Sequence, residues 1–471
     1  MTEPRDTTAD ALVVFGVTGD LGRRMTLPAL YRLELRGELP CDVIGVGRQD
    51  RTTEDLRAMA REAVEGAGLS VDEDGFSRFA RKLTYVAADA ADPEGYRRVG
   101  EALGRARCPV FYLATPPSLF ASIVESLGEA GLVGGARVVV EKPFGHDLAS
   151  SRELHQRLRR VLEPQQIYRI DHFLGKEPVQ DIVYLRFANE IFEPVWNRHH
   201  VQAVQITLAE SFGIEGRGSF YDDVGALRDV VQNHLLQVLA LVAMEPPSGS
   251  AAAITDRRLD VLRAIPAADP ADYVRGRYEG YLQEDGVRRG SETETYAAVR
   301  LRIDNWRWTG VPFLVRTGKS LRANLSEVHV LFRRPPPILM GSRTEEVRHH
   351  NHVTIRIGRD PGASLGVSVK DPSGEHATPI HLDVSFLDHV SQSPTPYERL
   401  LGDALAGDPT LFPPQAVVEE LWRIVQPLLD DPPPVEPYPP GSWGPGRAER
   451  LAEPYGGWRE PADHGEAEGR G

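Results

Sequence analysis

Cysteine is nearly absent from this chain of 471 residues, which contains only Cys41 and Cys108. Two cysteines cannot form a disulfide framework, so the composition is typical of a protein that folds in a reducing compartment. The chain also has no apolar run long enough to span a bilayer, and residues 1–11 carry neither the basic start nor the apolar core of a signal peptide. These features predict a cytoplasmic protein with no membrane partner.

Positive charge is in deficit, because 54 Lys and Arg residues face 68 Asp and Glu residues and leave a formal net charge of -14. A nucleic-acid partner is therefore not expected, since phosphate backbones require a basic face. An acidic protein still binds an anionic substrate when it concentrates cations in one cleft. The hydrophobic content of 41% is that of a globular protein, and the length indicates two domains.

Short apolar runs alternate with helical stretches over the first third of the chain. The strands predicted there are 11–17, 42–47, 83–88, 109–114 and 137–141. One of the helices is expected to begin just after residue 51, where a threonine side chain is available as a cap. This alternation is typical of a mostly parallel sheet wrapped by helices, the α/β class.

After about residue 175 the strand-like runs follow one another more directly, which predicts an α+β domain with a broad, mainly antiparallel sheet. The strands predicted there are 201–210, 296–303, 311–317, 327–332 and 352–357, with one long helix at 223–244. We therefore expect a Rossmann-like dinucleotide-binding domain over 1–175 and a larger domain over 176–460. Residues 461–471 are charged and glycine-rich, so they are expected to form a disordered tail.

A glycine-rich turn, residues 16–22 (GVTGDLG), lies between the first strand and the first helix. Glycines let the backbone approach a pyrophosphate, and the start of a helix offers free N–H groups. The spacing is GxxGxxG rather than GxGxxG, so a tight turn without a ligand is the alternative. The alternating pattern around the turn favours a dinucleotide. The cofactor contacts predicted in this turn are Gly16, Thr18, Gly19, Asp20 and Leu21.

The second strand ends in Arg48 and Gln49, at the position that selects between dinucleotides. NAD enzymes usually place an acid there for the ribose hydroxyls, whereas an arginine accommodates the 2′-phosphate of NADP. Arg48 and Gln49 therefore predict NADP, with Thr18 as a second phosphate donor. The alternative is a solvated surface arginine, and the nearby Asp50 leaves NAD open as a second choice.

Three longer motifs resemble those of the glucose-6-phosphate dehydrogenase family: residues 141–145 (EKPFG), 169–177 (RIDHFLGKE) and 228–235 (RDVVQNHL). The glycine turn and residues 422–425 and 441–445 also fit, so the resemblance runs from about residue 11 to residue 460. It implies an oxidoreductase that oxidises glucose 6-phosphate at C1 with NADP, the first step of the oxidative pentose phosphate pathway. It also implies a homodimer or homotetramer built through the large sheet, and no metal.

The resemblance implies that His234 is the catalytic base and that Asp171 orients it. Oxidation at C1 needs a group that accepts the O1 proton while hydride leaves C1 for the nicotinamide. A histidine suits this step because its reference pKa of about 6.5 is close to working pH. A carboxylate partner fixes the tautomer of the ring and stabilises the imidazolium. Without the motif, a helix histidine satisfied by a neighbour would be the preferred interpretation.

The resemblance also implies a set of substrate-binding residues: Lys142, His172, Lys176, Glu210, Asp222 and Lys319. His172 and Lys176 are four residues apart, so both donors would share one face if the segment were helical, which suits a phosphate dianion. An exposed pair on a solvated face is the alternative. Lys142 is expected between substrate and nicotinamide, and thus also among the cofactor contacts. Glu210 and Asp222 are expected to bind sugar hydroxyls, although Asp222 could instead cap the helix that follows.

Three positions depart from the family pattern: Phe173 replaces a tyrosine, Met25 a lysine and Asn324 an arginine. Each loss of a hydrogen bond to a charged group costs roughly 1.5–3 kcal/mol, which predicts weaker substrate affinity. The alternatives are a dehydrogenase of another hexose 6-phosphate or of a free aldose, and a non-catalytic regulatory paralogue. The presence of both Asp171 and His234 argues against the paralogue.

Overall fold

The computed structural model describes residues 8–249, 251–335, 351–358, 360–372, 377–386 and 394–460. These residues divide into two compact units. The first comprises residues 8–177 together with 394–419, and the second comprises the rest of the described chain. The predicted tail, 461–471, lies outside the described residues.

The first unit is built on a six-stranded sheet in which every pairing is parallel. Its strands are β1 (Ala11–Phe15), β2 (Asp42–Gly47), β3 (Leu83–Ala87), β4 (Pro109–Leu113), β5 (Arg137–Val140) and β6 (Ile167–Arg169). The strand order β3-β2-β1-β4-β5-β6 confirms the predicted α/β class. The order in which successive strands are added to the sheet reverses between β1 and β4. Dinucleotides bind at this reversal point in sheets of this class.

Helices cover both faces of this sheet, and each face has its own apolar core. The α-helices of the unit are Leu27–Leu35, Thr53–Gly66, Glu73–Lys82, Pro93–Leu103, Phe120–Glu129, Leu148–Arg159 and Pro396–Ala406; short π or 3-10 segments are Gly22–Thr26, Pro117–Leu119 and Pro164–Gln166. The predicted cap is confirmed, because the Thr52 side chain accepts from the backbone of Asp55, and Asp55 accepts in return from the backbone of Thr52. Two further helices, Glu177–Phe187 and Gln415–Asp430, begin at or near the unit boundaries.

The helix Pro396–Ala406 belongs to the first unit although it comes late in the sequence. Its apolar face is buried in the same core cluster as the helix Leu27–Leu35. The buried Glu398 accepts hydrogen bonds from Arg32 at 2.8 Å and from Arg36 at 2.6 Å. A buried carboxylate with two guanidinium partners is well compensated, so this helix is fixed to the unit by polar and apolar contacts.

The second unit contains a nine-stranded sheet of order β14-β13-β12-β11-β7-β10-β9-β8-β15. Its strands are β7 (Val201–Ala209), β8 (Tyr273–Tyr278), β9 (Tyr296–Leu301), β10 (Phe313–Gly318), β11 (Leu325–Phe332), β12 (His352–Arg356), β13 (Gly362–Lys370), β14 (Ala377–Ser385) and β15 (Val435–Tyr438). All pairings are antiparallel except β10 with β7 and β15 with β8. The predicted broad and mainly antiparallel sheet is therefore confirmed.

The long helix predicted at 223–244 is a succession of three segments: Gly218–Ala226, the π-helical Leu227–Leu235, and Leu236–Ala243. Gly225 interrupts the first with a φ of 71°, a conformation that other residues rarely adopt. The other helical segments of this unit are Glu193–Val195, Ala251–Ala264, Pro270–Asp272, Tyr281–Gln283, Gly446–Ala448, Glu449–Ala452 and Glu453–Tyr455. Among the residues that the structure describes, no helix has the length and apolar content needed to cross a membrane.

Candidate active site

The glycine turn is so tight that two of its glycines leave no space for a side chain. A Cβ on Gly16, which has a φ of 78°, would lie 2.4 Å from the carbonyl oxygen of Ala114 at the end of β4. A Cβ on Gly22 would lie 2.2 Å from the carbonyl oxygen of Val17. The turn therefore packs closely against the end of β4, where the strand order reverses, while Gly19 and Asp20 are exposed. This geometry fits a dinucleotide pyrophosphate.

A basic cluster stands beside this turn at the end of β2. Arg48 and Gln49 are exposed, and Thr18 is close by, because a Cβ on Gly47 would lie 3.2 Å from the Thr18 hydroxyl oxygen. The guanidinium of Arg51 donates to the Gln49 side chain at 2.7 Å. Arg51 was not among the predicted residues, and its signal in the sequence is only its spacing of three from Arg48. The cluster fits the 2′-phosphate of NADP.

Two predicted residues follow neighbouring strands, Lys142 after β5 and Asp171 after β6. The strands pair in parallel with Val140 opposite Arg169, and the Ile170 N–H donates to the Val140 carbonyl at 2.9 Å. Both residues therefore emerge at the same edge of the sheet. Lys142 is half-buried, and Asp171 is buried.

A third ionisable group lies at this edge and was not predicted. The buried carboxyl of Glu141 accepts a hydrogen bond from the Tyr112 hydroxyl at 2.7 Å and another from Tyr397. Burial raises the pKa of Glu141 to about 7, against the opposing effects of these hydrogen bonds and of the Lys142 charge. Its signal in the sequence was an acid directly after an apolar strand.

The segment with His172 and Lys176 is a turn rather than the helix that would have placed both on one face, and the helix begins only at Glu177. The two donors are connected in a different way. The Lys176 ammonium lies 3.6 Å from the centroid of the Phe173 ring, and the His172 ring meets the same ring edge-on at 5.3 Å. Phe173 is thus the shared neighbour of both predicted phosphate ligands.

Met25 and Arg23 lie in the π-helical segment after the glycine turn. Met25, at the position where the family pattern has a lysine, is exposed. The Arg23 guanidinium donates to the carbonyl of Thr18 at 3.1 Å, so its charge supports the turn instead of replacing that lysine.

In the second unit, Glu210 and Lys319 form an ion pair. Glu210 follows β7 and Lys319 follows β10, the parallel pair inside the mostly antiparallel sheet, with Ala209 opposite Gly318. Parallel strands end at the same edge, which brings the two charges together. The ammonium of Lys319 is buried, between the rings of Phe212 at 5.3 Å and Tyr221 at 5.6 Å.

Asn324, at the position of a family arginine, has a structural contact. Its side-chain oxygen accepts from the Ser211 N–H at 2.9 Å. Asn324 therefore connects the loop after Lys319 to the loop after Glu210.

His234 is buried in the π-helical segment Leu227–Leu235. A π-helix places residues five apart on nearly the same face, and such segments are frequent at functional sites. Asp229 is five residues before His234 and half-buried. After burial, the charge of Asp229 is the largest cause that raises the pKa of Tyr221, and Glu210 contributes as well. The Tyr221 ring is also one of the two rings that lie close to the Lys319 ammonium.

Asp222, expected to bind sugar hydroxyls, has its carboxylate occupied by protein groups. Tyr281 donates to it at 3.0 Å, Arg288 at 2.7 Å, and Ser291 also donates. Burial raises the pKa of Asp222, but these hydrogen bonds outweigh burial and the pKa is lowered. The geometry favours a structural role for Asp222, because both oxygens are already engaged. It does not cap the helix either, since that helix begins at Gly218.

Comparisons with known proteins find similarity over almost the whole chain. Residues 13–181 match the family model for the NAD-binding domain of glucose-6-phosphate dehydrogenase, and residues 183–459 match the model for its C-terminal domain. Glucose-6-phosphate 1-dehydrogenase 1 of Mycobacterium tuberculosis (strain CDC 1551 / Oshkosh) is 49% identical over 456 residues, which cover 96% of this chain and 97% of the relative. Glucose-6-phosphate 1-dehydrogenase of Rhizobium meliloti (strain 1021) is 38% identical over 94% of this chain and 95% of its own length.

Two solved structures are similar over the full fold. The crystal structure of glucose-6-phosphate 1-dehydrogenase from Mycobacterium avium has a TM-score of 0.88 and 48% identity, covering 96% of this chain and 99% of that one. A glucose-6-phosphate dehydrogenase in complex with glucose 6-phosphate has a TM-score of 0.88 at 33% identity, covering 97% of this chain and 100% of its own.

Proposed function

Because the chain belongs to the glucose-6-phosphate dehydrogenase family, we propose that it oxidises glucose 6-phosphate at C1 to 6-phosphoglucono-1,5-lactone and transfers the hydride to NADP. The observation that carries this proposal is that the predicted site residues form two ionisable clusters. Lys142 and Asp171 share one sheet edge of the first unit, and Glu210 and Lys319 share one sheet edge of the second.

In this reaction His234 accepts the O1 proton, which requires a neutral ring. Asp171 is the carboxylate that orients the ring and stabilises the imidazolium that forms. The bound NADP supplies the hydride acceptor. The protein supplies the proton acceptor and holds the reacting atoms in position.

The substrate phosphate is assigned to His172 and Lys176, and the sugar to Lys142, Glu210 and Lys319. We assign the second sugar-binding carboxylate to Asp229 in place of Asp222. Its support is its position, because it precedes His234 by one turn of a π-helix and its charge acts on the same tyrosine as that of Glu210. Carboxylates that accept sugar hydroxyls discriminate strongly against substrates that lack them.

The cofactor is assigned to Gly16, Thr18, Gly19, Asp20, Leu21, Arg48, Gln49 and Lys142. The first five form the turn that would receive the pyrophosphate, and Arg48 and Gln49 would lie beside the adenosine ribose. Because Arg48 stands where NAD enzymes carry an acid, NADP is the preferred cofactor and NAD the second choice.

We also propose a cytoplasmic location and a homodimer or homotetramer. The assembly is supported by the edge strand β14, on which Leu382 and Val384 are exposed by 53% and 57%. Residues two apart share one face of a strand, so these side chains form a small apolar strip. Light scattering on the purified protein tests the assembly, and a monomer at all concentrations would contradict it.

A second candidate keeps the chemistry and changes the sugar to another hexose 6-phosphate or a free aldose. Phe173, Met25 and Asn324 favour it, since each lacks a polar or charged group of the family pattern. The deciding experiment assays purified protein with NADP and NAD against glucose 6-phosphate, two other hexose 6-phosphates and glucose. The highest kcat/KM for glucose 6-phosphate with NADP supports the proposal, and preference for any other sugar contradicts it.

A further inference from the structure

Three histidines lie in neighbouring positions on one face of the sheet of the second unit: His329 on β11, His352 on β12 and His381 on β14. His329 pairs with Thr354, which is two residues from His352 and so lies on the same face. His352 pairs with Gly366 of β13, and Gly366 pairs with His381. The ring centroids of His329 and His352 are 4.7 Å apart, and those of His352 and His381 are 5.3 Å apart. The imidazoles therefore form a row with His352 in the middle.

Two contacts position the rings of this row. A Cβ on Gly366 would lie 2.2 Å from Cε1 and 2.5 Å from Nε2 of His352, so the ring occupies the space that a side chain on β13 would fill. At the other end of the row, Nδ1 of His329 hydrogen-bonds with the Thr354 hydroxyl at 2.9 Å. The row is therefore built into the sheet, because β13 has no side chain at this point and β12 supplies a hydroxyl.

The row lines a cavity of about 300 Å³ that is also lined by the C-terminal segment 455–460. Gln205, on β7, holds this segment with both polar atoms of its amide. Its nitrogen donates to the Gly457 carbonyl at 2.8 Å, and its oxygen accepts from the Arg459 N–H at 2.7 Å. Gln205 also pairs with His329 across β7 and β11. The cavity is therefore bounded by backbone that the sheet itself fixes in place.

The charges around the cavity favour a cation over an anion. Among the described residues that line it, Arg459 carries a guanidinium, and this group forms an ion pair with the buried Glu327 at 3.0 Å. Glu460 adds a carboxylate to the lining. Neutral imidazole nitrogens are ligands of Zn²⁺ and related transition metals, whereas carboxylate and water sites suit Mg²⁺. The lining therefore fits a metal ion that prefers nitrogen ligands.

We propose that His329, His352 and His381 bind a transition-metal ion, with Zn²⁺ as the representative, and that water completes the coordination. Two imidazoles on one zinc ion, with Zn–N distances of about 2.0–2.1 Å and an angle of about 90–110°, have ring centroids about 4.5–5.3 Å apart. Both neighbouring pairs of the row have this separation. His381 is exposed, so its ring turns about its side-chain torsions to join the other two around one ion.

The ion has a structural role in this proposal, because its ligands come from three strands. It connects β11 and β12 to β14, the edge strand of the sheet. With the metal on Nε2 of His329, Nδ1 carries the proton and donates it to the Thr354 hydroxyl, the kind of outer contact that metal-bound histidines usually make. The site contains no residue assigned to the substrate or the cofactor, so the inference stands apart from the proposed function.

The test titrates Zn²⁺ into the purified full-length protein, without a histidine tag, and measures binding by isothermal titration calorimetry. The same titration is carried out on four variants: His329→Ala, His381→Ala, Gly366→Ala and His199→Ala. We expect the first three to lower the zinc affinity about tenfold or more, and His199→Ala to leave it within about twofold. His199 is an exposed histidine of the same unit and serves as the matched control. Gly366→Ala keeps all three ligands but displaces the His352 ring.

Zinc at saturating concentration should also raise the Tm of the wild type, and raise that of His381→Ala less, because a ligand stabilises the state that binds it. A wild type that binds no zinc, or that binds Mg²⁺ as tightly as Zn²⁺, would overturn the proposal. Unchanged zinc affinity in His381→Ala would overturn it as well, since the ion would then lie at other groups of the chain. His381 is exposed, so this variant decides even if the substitutions at the buried His329 or Gly366 prevent folding. These readouts need no turnover, so a failure of the proposed function leaves them unaffected.

Discussion

The ammonium of Lys176 lies 3.6 Å from the centroid of the Phe173 ring, so a residue that lacks the family hydroxyl still contacts a predicted phosphate ligand. The same ring meets His172 edge-on. A cation over an aromatic face is held electrostatically, with an energy of about 0.5–2 kcal/mol. The ring thus restrains both donors before a phosphate arrives.

Phe173→Leu should therefore raise the KM for glucose 6-phosphate by about 2–10-fold and leave kcat nearly unchanged, because the cation–π contact is lost. Phe173→Tyr keeps the ring and should not raise this KM. Steady-state kinetics with glucose as the control substrate makes the comparison, since glucose carries no phosphate. A Leu variant with unchanged KM would show that the ring does not organise Lys176.

His234→Asn should lower the rate of hydride transfer by about 10²–10⁴-fold, the usual contribution of a general base, while both ligands bind almost normally. Asp171→Asn should lose much of the same factor. The losses should not add in the double variant, because the two residues act as one unit. Pre-steady-state hydride transfer and separate binding titrations measure this. A His234 variant whose defect lies wholly in binding would remove it as the base.

Arg48→Ala should raise the KM for NADP by about 10–100-fold and the KM for NAD by less than about twofold, because only NADP has the 2′-phosphate that a guanidinium binds. Arg51→Ala is the comparison within the same cluster, and it should raise the KM for NADP by less, because the Arg51 guanidinium already donates to the Gln49 side chain. Equal effects of Arg48→Ala on both cofactors would contradict the assignment.

The variants Asp222→Asn and Asp229→Asn should distinguish a carboxylate with a structural role from one that binds the substrate. Asp222 has three protein donors, so its variant should lower Tm with little change in the KM for glucose 6-phosphate. Asp229→Asn should raise that KM or lower kcat with Tm almost unchanged. Thermal unfolding and kinetics on both proteins decide, and the reverse pattern would return the sugar contact to Asp222.

Glu141 should also make stability depend on pH. Burial raises its pKa to about 7 in the folded protein, so the folded state holds a proton that the unfolded state releases near pH 4.5. The resulting stabilisation is fully present below about pH 4.5 and is lost as pH rises through about 7, in total about 3 kcal/mol at roughly 1.4 kcal/mol per unit. Glu141→Gln should remove this component, so the variant gains stability relative to wild type between about pH 5 and pH 8. Denaturant unfolding at both values measures the gain, and a constant difference would contradict it.

Much of the first unit could be predicted from the sequence because its strands are buried on both faces and read as continuous apolar runs. Strand β2 was predicted with the observed bounds, 42–47. Strand β6 was missed because it has only three residues. In the second unit β8 was missed because Arg275 interrupts the apolar run, and the charge is satisfied by a buried pair with Glu294. Strands β13 and β14 were missed although Leu365, Val367 and Val369 alternate on β13, and Ile380, Leu382 and Val384 alternate on β14.

The site was predictable where a motif fixes the residue and not where a tertiary contact does. His234 and Asp171 were named from their motifs and remain proposals for experiment. Whether Asp222 or Asp229 faces the sugar depends on Ser291 and Arg288, which approach from a distant part of the chain. The π-helical winding that relates Asp229 to His234 has no periodic signature in the sequence either.

The late helix Pro396–Ala406 delays the completion of the first unit while the protein is being synthesised. The first unit lacks part of its core, and the hydroxyl of Tyr397, until the chain has grown from residue 177 to residue 419. At roughly 5–20 residues per second, the ribosome needs about 10–50 s for that stretch. During this interval the nascent dinucleotide-binding unit exposes the apolar surface that the late helix will cover, whereas a contiguous domain can bury its core once its own residues have emerged.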